Sequence, residues 1–276
     1  WSTLLALTVT RPHVCDEWRV AASAVAAPAG AAPQVAIVAP PPPVPSALAQ
    51  AERTRYRIDY GVLEIGALEV AIAAAVPGAT LVHADGHGSG GVLGLGRMDD
   101  RIATDFDFTR LESRRWDNAR SGGEGALRDR ARQTGAGRVD LVRERAGAGP
   151  QTASAVLAAP LLDPLGFLLR LRVDPPRASP QILYVLDGQA LWRVTITNAG
   201  RVVPPENVAP VPMVRLEAEA EPVSWNGTPD TDGDRTHRSF KLWLSDDAAH
   251  VPLRLEMPVG IANVVVALTE IARPAR

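Results

Sequence analysis

Cysteine, lysine and long hydrophobic runs are nearly absent from this sequence of 276 residues. Cys15 is the only cysteine, so an intramolecular disulfide and a four-thiolate zinc site are both excluded. Lys241 is the only lysine, and the arginines are spread along the chain, with a formal net charge of -2. This distribution gives no reason to expect a nucleic-acid partner. No apolar run reaches about 18 residues, so the sequence as given predicts no membrane-spanning helix.

The N-terminal part of the sequence is rich in alanine and proline from residue 21 to residue 50. Four consecutive prolines at 40–43 favour polyproline II, which lacks internal hydrogen bonds and builds no core. We therefore predict a disordered or extended segment over residues 1–53 and a folded domain over residues 54–276. Two interpretations stay open for the segment, a stalk that holds the domain away from a membrane or cell wall and a tail without a role. Because the chain starts at Trp1, we expect a processed or truncated start, and membrane association only if an anchor precedes it.

Alternating apolar residues near the C-terminus indicate three strands joined by short turns, an antiparallel meander over residues 239–271. Similar alternation predicts strands at 56–62, 102–108, 139–143 and 211–223, and Asp187-Gly188 predicts a hairpin between 182–186 and 190–197. The stretch from 68 to 76 also alternates, but its alanine content makes a helix at 67–75 the competing prediction.

One helix is predicted over residues 162–173, with Asp163 as N-cap and Pro164 at the first helical position. A single short helix among many strands is expected to plug the open end or face of a curved sheet. The predicted fold class is therefore mainly β, a curved antiparallel sheet or partly open β-barrel with one short helix.

Three patterns resemble ligand sites without meeting their requirements. The glycines at 86–91 match a dinucleotide fingerprint, but further glycines occupy the place of the required helix, so we expect a flexible connection between strands. His83 and His87 lack a third metal ligand and are interpreted as loop histidines. The sequence thus predicts no metal and no cofactor; the alternative is calcium bound by alternating carboxylates in a loop at 225–238, although an EF-hand glutamate is missing. Those carboxylates are Asp230, Asp232 and Asp234.

The order of these features resembles a bacterial family known as domain of unknown function 3108, over about residues 54–273. The most specific segments are LWLSDD at 242–247, VPL at 251–253 and the Asp187-Gly188 turn. The resemblance implies an exported protein of the periplasm or cell envelope of a Gram-negative bacterium, built mainly of antiparallel strands. It implies no catalytic residues, because the family has none that are agreed.

The leading functional hypothesis is a non-catalytic envelope domain that binds a hydrophobic ligand, such as a lipid or acyl chain, in the concave face of the sheet. The alternative is a structural or assembly module that binds an envelope protein. Hydrolysis by Asp246 and Asp247 is a third hypothesis, disfavoured because adjacent strand residues point to opposite faces. The candidate ligand-lining residues are Phe167, Leu168, Trp192 and Trp243.

Overall fold

The computed structural model describes nine stretches of the chain: residues 43–76, 79–92, 96–122, 125–135, 137–157, 159–188, 190–202, 211–230 and 237–273. Their elements are a short 3-10 turn (Ser46–Leu48), fifteen strands and one α-helix. The strands and the helix are β1 (Glu52–Tyr60), β2 (Leu63–Ile72), β3 (Leu81–Val92), β4 (Gly96–Asp107), β5 (Glu112–Gly122), β6 (Gly125–Gly135), β7 (Arg138–Arg145), β8 (Gln151–Val156), β9 (Leu161–Leu162), α1 (Pro164–Val173), β10 (Gln181–Leu186), β11 (Leu191–Val202), β12 (Met213–Val223), β13 (Arg238–Ser245), β14 (Pro252–Val259) and β15 (Ala262–Ala272).

All strands belong to one sheet, in which the first and last strands lie side by side at the centre. From β1, one half continues through β2 to β8, and from β15 the other half runs back through β14 to β9. Neighbouring strands are antiparallel throughout, except β9 and β10, which are parallel. The sheet is open and curved, with one helix, so the predicted fold class is confirmed.

Alternation of side chains explains why these segments form strands. In β1, Glu52, Thr54 and Tyr56 are buried while the arginines between them are exposed. The predicted C-terminal meander is confirmed as β13, β14 and β15, which pair antiparallel in that order. The competing helix at 67–75 is wrong, because most of that stretch pairs with both β1 and β3 as part of β2.

Helix α1 is confirmed, with Asp163 as its N-cap and Pro164 at its first position. It lies against β3, β4, β5, β9 and β10 on a single face of the sheet, which we call the concave face. The largest apolar cluster among the described residues forms between this face and α1, and it contains buried side chains of both halves of the sheet. Within the described residues, no helix has the length and apolarity needed to cross a bilayer.

The far end of α1 joins the helix to the start of the packed chain. The side chain of Arg172 donates to Glu52 Oε1 at 2.7 Å and to the backbone oxygens of Ala47 at 3.2 Å and Ala249 at 3.1 Å. Leu48 is fully buried in the main cluster. The last residues of the Ala/Pro tract therefore pack against the domain, while residues 1–42, including Cys15 and the four-proline run up to residue 42, lie outside the described residues.

The glycine-rich stretch at 86–91 is part of β3, so the expected flexible connection is wrong. Two of its contacts explain the composition. A Cβ at Gly90 would lie 2.4 Å from the carbonyl oxygen of Ile65, and one at Gly66 would lie 2.4 Å from that of Ser89. Since these backbones approach so closely, only glycine fits there.

The two histidines of β3 are strand residues, which corrects their interpretation as loop residues. They point away from the concave face, where His83 Nδ1 lies 2.8 Å from Asp105 Oδ1 and His87 Nε2 lies 3.1 Å from Asp99 Oδ2. Each histidine therefore serves in a pair across the outer face of β3 and β4.

Candidate binding surface on the concave face

Polar side chains replace apolar ones on part of the concave face. Close to α1, the row of paired residues across β4 to β7 is largely apolar: Thr104, Trp116, Ala131 and Leu141. One step along the strands, the next row of the same face is Ile102, Asn118, Asp129 and Arg143, followed by Asp100 and Arg120. Since residues two apart in a strand share a face, these polar side chains also face inward.

A second set of polar residues meets this row from the other half of the sheet. Asp187 and Gly188 belong to the turn between β10 and β11, and Arg238 begins β13. We call the combined set the inner polar cluster: Asp100, Asn118, Arg120, Asp129, Arg143, Asp187 and Arg238.

The halves of the inner polar cluster are joined by Arg143. Its Nε donates to Asp129 Oδ1 at 2.6 Å, and its Nη2 donates to the carbonyl oxygen of Gly188. Burial raises the pKa of Asp129, and the charges of Arg143 and Arg120 oppose that rise. A single guanidinium thus connects β6 and β7 to the β10–β11 turn across the concave face.

The turn itself is fixed by Asp187. Its Oδ1 accepts from the backbone N–H of Ala190 at 2.8 Å, and its Oδ2 accepts from Trp192 Nε1 at 3.1 Å. The guanidinium of Arg238 lies 4.9 Å from the centroid of the Trp192 ring, which is a cation–π distance. Burial lowers the pKa of Arg238, while the charge of Asp187 opposes this. The site therefore holds guanidinium and carboxylate groups at the border of an apolar core.

Replacing Gly188 with alanine is expected to lower the free energy of unfolding by about 2–4 kcal/mol, because the residue has φ +88° and a Cβ would lie 2.6 Å from Asp129 Oδ2. Gly200→Ala is the matched control, since Gly200 has φ +91° and nothing lies within 4 Å of its added Cβ. Urea denaturation of both variants isolates the contact with Asp129. Equal losses would show that this contact is unimportant.

Three of the four candidate ligand-lining residues lie together in the main core. Phe167 and Leu168 of α1 and Trp192 of β11 are buried there. The Phe167 ring packs edge-to-face against Phe240, with centroids 6.2 Å apart. These residues fill the space between helix and sheet, and their contact with a ligand stays a prediction.

Trp243 is not brought together with the other three. It alternates with Leu242 and Leu244 of the main core and therefore points to the opposite face of β13. There it packs with Met213, Val251 and Leu253, and the Arg254 guanidinium lies 5.9 Å from its ring centroid.

Other inward-facing apolar side chains remain partly exposed, and nothing in the sequence pattern marked them as ligand-lining residues. They are Ile58 and Tyr60 of β1 and Ile102 of β4, all packed against the edge of the main core. Ile102 pairs with Asn118 of the inner polar cluster. An accessible apolar surface on the concave face thus borders polar groups. The strand alternation around Ile58 and Ile102 gave the signal for their inward orientation.

The alternative calcium ligands cannot be assembled from the described residues, because Asp232 and Asp234 lie outside them. Asp230 is described, and its backbone N–H donates to the Pro222 carbonyl oxygen at 2.9 Å. Among the described residues, no group of three His, Cys, Asp or Glu side chains has an arrangement that could hold a metal ion.

Comparison with known proteins identifies the family. A family described as "Protein of unknown function (DUF3108)" matches residues 55–269. The chain belongs to this family. The resemblance expected from the sequence is therefore confirmed. The search of curated proteins found no match to this DUF3108 protein.

Two solved structures are similar to it over most of the chain. One is a β-barrel-like protein of domain of unknown function DUF1849 from Brucella abortus, with 10% identity and a TM-score of 0.55, covering 82% of this chain and 98% of the other. The second is LprF from Mycobacterium bovis, with 12% identity and a TM-score of 0.30, covering 84% and 90%. The Brucella protein supports the β-barrel-like fold.

Proposed function

We propose that this DUF3108 protein is a non-catalytic domain that binds a hydrophobic ligand, such as a lipid or an acyl chain, on the concave face of its sheet. The observation that carries the proposal is the partial exposure of Ile58, Tyr60 and Ile102, which face inward beside the main core. Apolar side chains that line a concavity without being covered are the usual lining of a site for an apolar ligand.

The neighbouring polar residues indicate the shape of that ligand. Ile102 is followed across the sheet by Asn118, Asp129 and Arg143, so apolar and polar surfaces meet within one row. A ligand that matches both surfaces has an apolar chain and a polar end. The proposal therefore favours an amphiphile over a pure hydrocarbon.

The carboxylates at 246 and 247 support a non-catalytic role. Asp247 Oδ1 accepts from Ser245 Oγ at 2.7 Å and from the backbone N–H groups of Ala249 at 3.0 Å and His250 at 3.2 Å. Asp246 pairs with Arg201 at 2.5 Å. Both side chains are thus engaged in holding the β13–β14 turn and the end of β11, which is the use of aspartate that tight turns favour.

We infer that the domain acts in the cell envelope, on the grounds of the family resemblance and the Ala/Pro-rich segment ahead of it. The protein isolated from the envelope of its own bacterium is then expected to carry an amphiphile in native mass spectrometry. Consistently empty protein would contradict the proposal.

A blocking variant tests the location of the ligand. Ile102→Trp places a large side chain on the concave face, and Arg101→Trp places the same side chain on the outer face, where Arg101 is exposed. We expect Ile102→Trp to weaken binding of palmitate about tenfold or more, since it occupies the apolar surface, and Arg101→Trp to bind as the natural protein does. Calorimetric titration measures both. Equal affinities would contradict the concave site, and so would unfolding of Ile102→Trp alone, because a filled interior leaves no room for a ligand.

The assembly alternative is favoured by one edge of the sheet. Among the described residues, no strand pairs with the outer edge of β8, whose sequence QTASAV contains neither a charged residue nor a proline. Natural edge strands usually carry such residues to prevent pairing with another chain. A partner that adds a strand there would be trapped by cross-linking from position 154 in cells, and Thr152→Pro, which removes a backbone N–H directed at the open edge, should abolish that product.

A further inference from the structure

Two adjacent hairpin loops of the central strands share one design. Gly61-Val62 joins β1 to β2, and Gly260-Ile261 joins β14 to β15. Each begins with a glycine of positive φ, +60° at Gly61 and +58° at Gly260, as two-residue hairpin loops require. Each then presents a β-branched aliphatic residue where turns normally place polar ones.

The two loops are held together as a unit, which we call the tip pair and define as Gly61, Val62, Leu63, Gly260 and Ile261. The backbone N–H of Gly61 donates to the carbonyl oxygen of Asn263 at 3.0 Å, which fixes the first loop to β15. The Tyr60 hydroxyl donates to the Val259 carbonyl oxygen at 3.3 Å, which fixes β1 to the base of the second loop.

Two aliphatic side chains of the tip pair, those of Val62 and Ile261, are the most exposed of the large apolar side chains in the described chain. Val62 is 98% exposed and Ile261 is 101% exposed, and Leu63 beside them is 49% exposed. Leaving such side chains in water has a free-energy cost that burial against an apolar phase would remove. Because the design occurs twice side by side, it forms one protruding apolar surface.

We propose that the tip pair inserts into the surface of a lipid bilayer. A folded protein partner fits less well, since a stable protein interface buries about 800 Å² on each side, which three aliphatic side chains do not supply. A bilayer needs no complementary surface and accepts protruding apolar residues individually. Tyr60, half-buried at the base of the loops, is a residue type that favours the membrane–water interface.

The charges near the tip pair indicate which lipid headgroups it can approach. In residues 61–65 and 258–263 the only ionisable side chain is that of Glu64, which is exposed, and no lysine or arginine is present. Anionic lipid would therefore be repelled locally and not attracted. The surface expected to bind is an uncharged or zwitterionic one, and this docking does not depend on a ligand in the concave face.

Vesicle flotation with the full 276-residue chain tests the proposal. The test variant V62S/I261S removes both exposed aliphatic side chains and keeps both loop glycines. The matched control V156S/I182S removes one valine and one isoleucine that are 61% and 59% exposed on β8 and β10. On phosphatidylcholine vesicles, V62S/I261S is expected to bind about 100-fold more weakly than the natural chain, about tenfold for each side chain, and V156S/I182S to bind equally well.

Adding phosphatidylglycerol to the vesicles is expected to leave binding unchanged or to weaken it. No binding of the natural chain to phosphatidylcholine would overturn the proposal, and so would equal losses in the two double variants. Binding that requires phosphatidylglycerol would assign the contact to arginines elsewhere and also overturn it. The natural chain could also sediment as a dimer that V62S/I261S abolishes. The tip pair would then bind a second copy of the chain and not a bilayer, which would overturn the proposal as well.

Discussion

Arg172→Met is expected to lower the free energy of unfolding by about 3–5 kcal/mol, because it leaves a buried carboxylate without its main partner. Arg172 and Glu52 are nearly inaccessible, with 3% and 4% of their side chains exposed, and their ion pair is 2.7 Å long. The same guanidinium also holds the backbone oxygens of Ala47 and Ala249, so three separate segments lose a contact. Urea denaturation at pH 7 measures the loss.

The matched control is Arg193→Met, which breaks a pair with Glu221 in which each side chain is 32% exposed. Pairs of this exposure contribute about 1 kcal/mol or less, since water screens them. A loss in Arg172→Met no larger than in Arg193→Met would contradict the proposed role of the buried pair as the joint between α1 and β1.

The pH dependence of the Arg172→Met effect gives an independent check. Burial alone would raise the pKa of Glu52, but the hydrogen bonds and charges of Arg172 and Arg273 lower it below its usual range. A lowered pKa means that Glu52 stabilises the native protein above about pH 4.3 and that this contribution is lost as the pH falls through the folded pKa. Without Arg172, burial is left with less opposition, so the difference between the natural chain and Arg172→Met should be larger at pH 7 than at pH 4. A difference independent of pH would contradict this explanation.

The strands that the sequence predicted are those with one apolar and one polar face. In β14, Leu253, Leu255 and Met257 alternate with Arg254 and Glu256, so periodicity alone identifies the strand. In β5, the inward face carries Asn118 and Arg120 after Trp116, so polar residues occur on both faces of the strand. Such strands give no period-two signal, and the same holds for β6. Strand β3 was hidden for another reason, because its glycines interrupt the alternation that Val82 and Ala84 begin.

Contacts distant in sequence could not be predicted, because they depend on the curvature of the sheet. The Asp187-Gly188 turn was identified from its two residues. Nothing in the sequence indicates that its carbonyl oxygen accepts from Arg143, 45 residues earlier. Likewise, the sequence identified Asp163 as the helix cap. It did not indicate that Ser113 and Thr104, 50 and 59 residues earlier, donate hydrogen bonds to the same carboxylate.

These contacts share one property. Asp163 and Arg172 form hydrogen bonds at the two ends of α1, and Arg143 donates a hydrogen bond to the β10–β11 turn. Polar bonds therefore attach both the helix and this turn to the rest of the sheet. The apolar core packs between the helix and the sheet, so these polar bonds act beside it in holding α1 and the turn in place.

Asp163→Ala is expected to cost about 3–5 kcal/mol of unfolding free energy, because the side chain is fully buried and is the shared acceptor of four donors. Thr104 Oγ1 donates at 2.7 Å, Ser113 Oγ at 2.5 Å, and the N–H groups of Leu165 and Gly166 at 3.0 and 3.1 Å. Alanine leaves these donors buried and unsatisfied. Asp163→Asn keeps one oxygen acceptor and should cost less, about 1–2 kcal/mol.

Asp247→Ala separates the effect of burial from that of capping. Asp247 also accepts from a serine hydroxyl and two backbone N–H groups, but it is exposed, so water replaces it and the expected cost is about 1 kcal/mol. Hydrogen exchange gives the local readout: the amides of residues 165–169 should lose protection in Asp163→Ala and keep it in Asp247→Ala. The space at the cap is narrow, since a Cβ at Gly166 would lie 2.0 Å from Ser113 Oγ. Equal costs for Asp163→Ala and Asp247→Ala would mean that the cap contributes no more than an ordinary turn, and the attachment of α1 to the sheet would have to come from its apolar side chains alone.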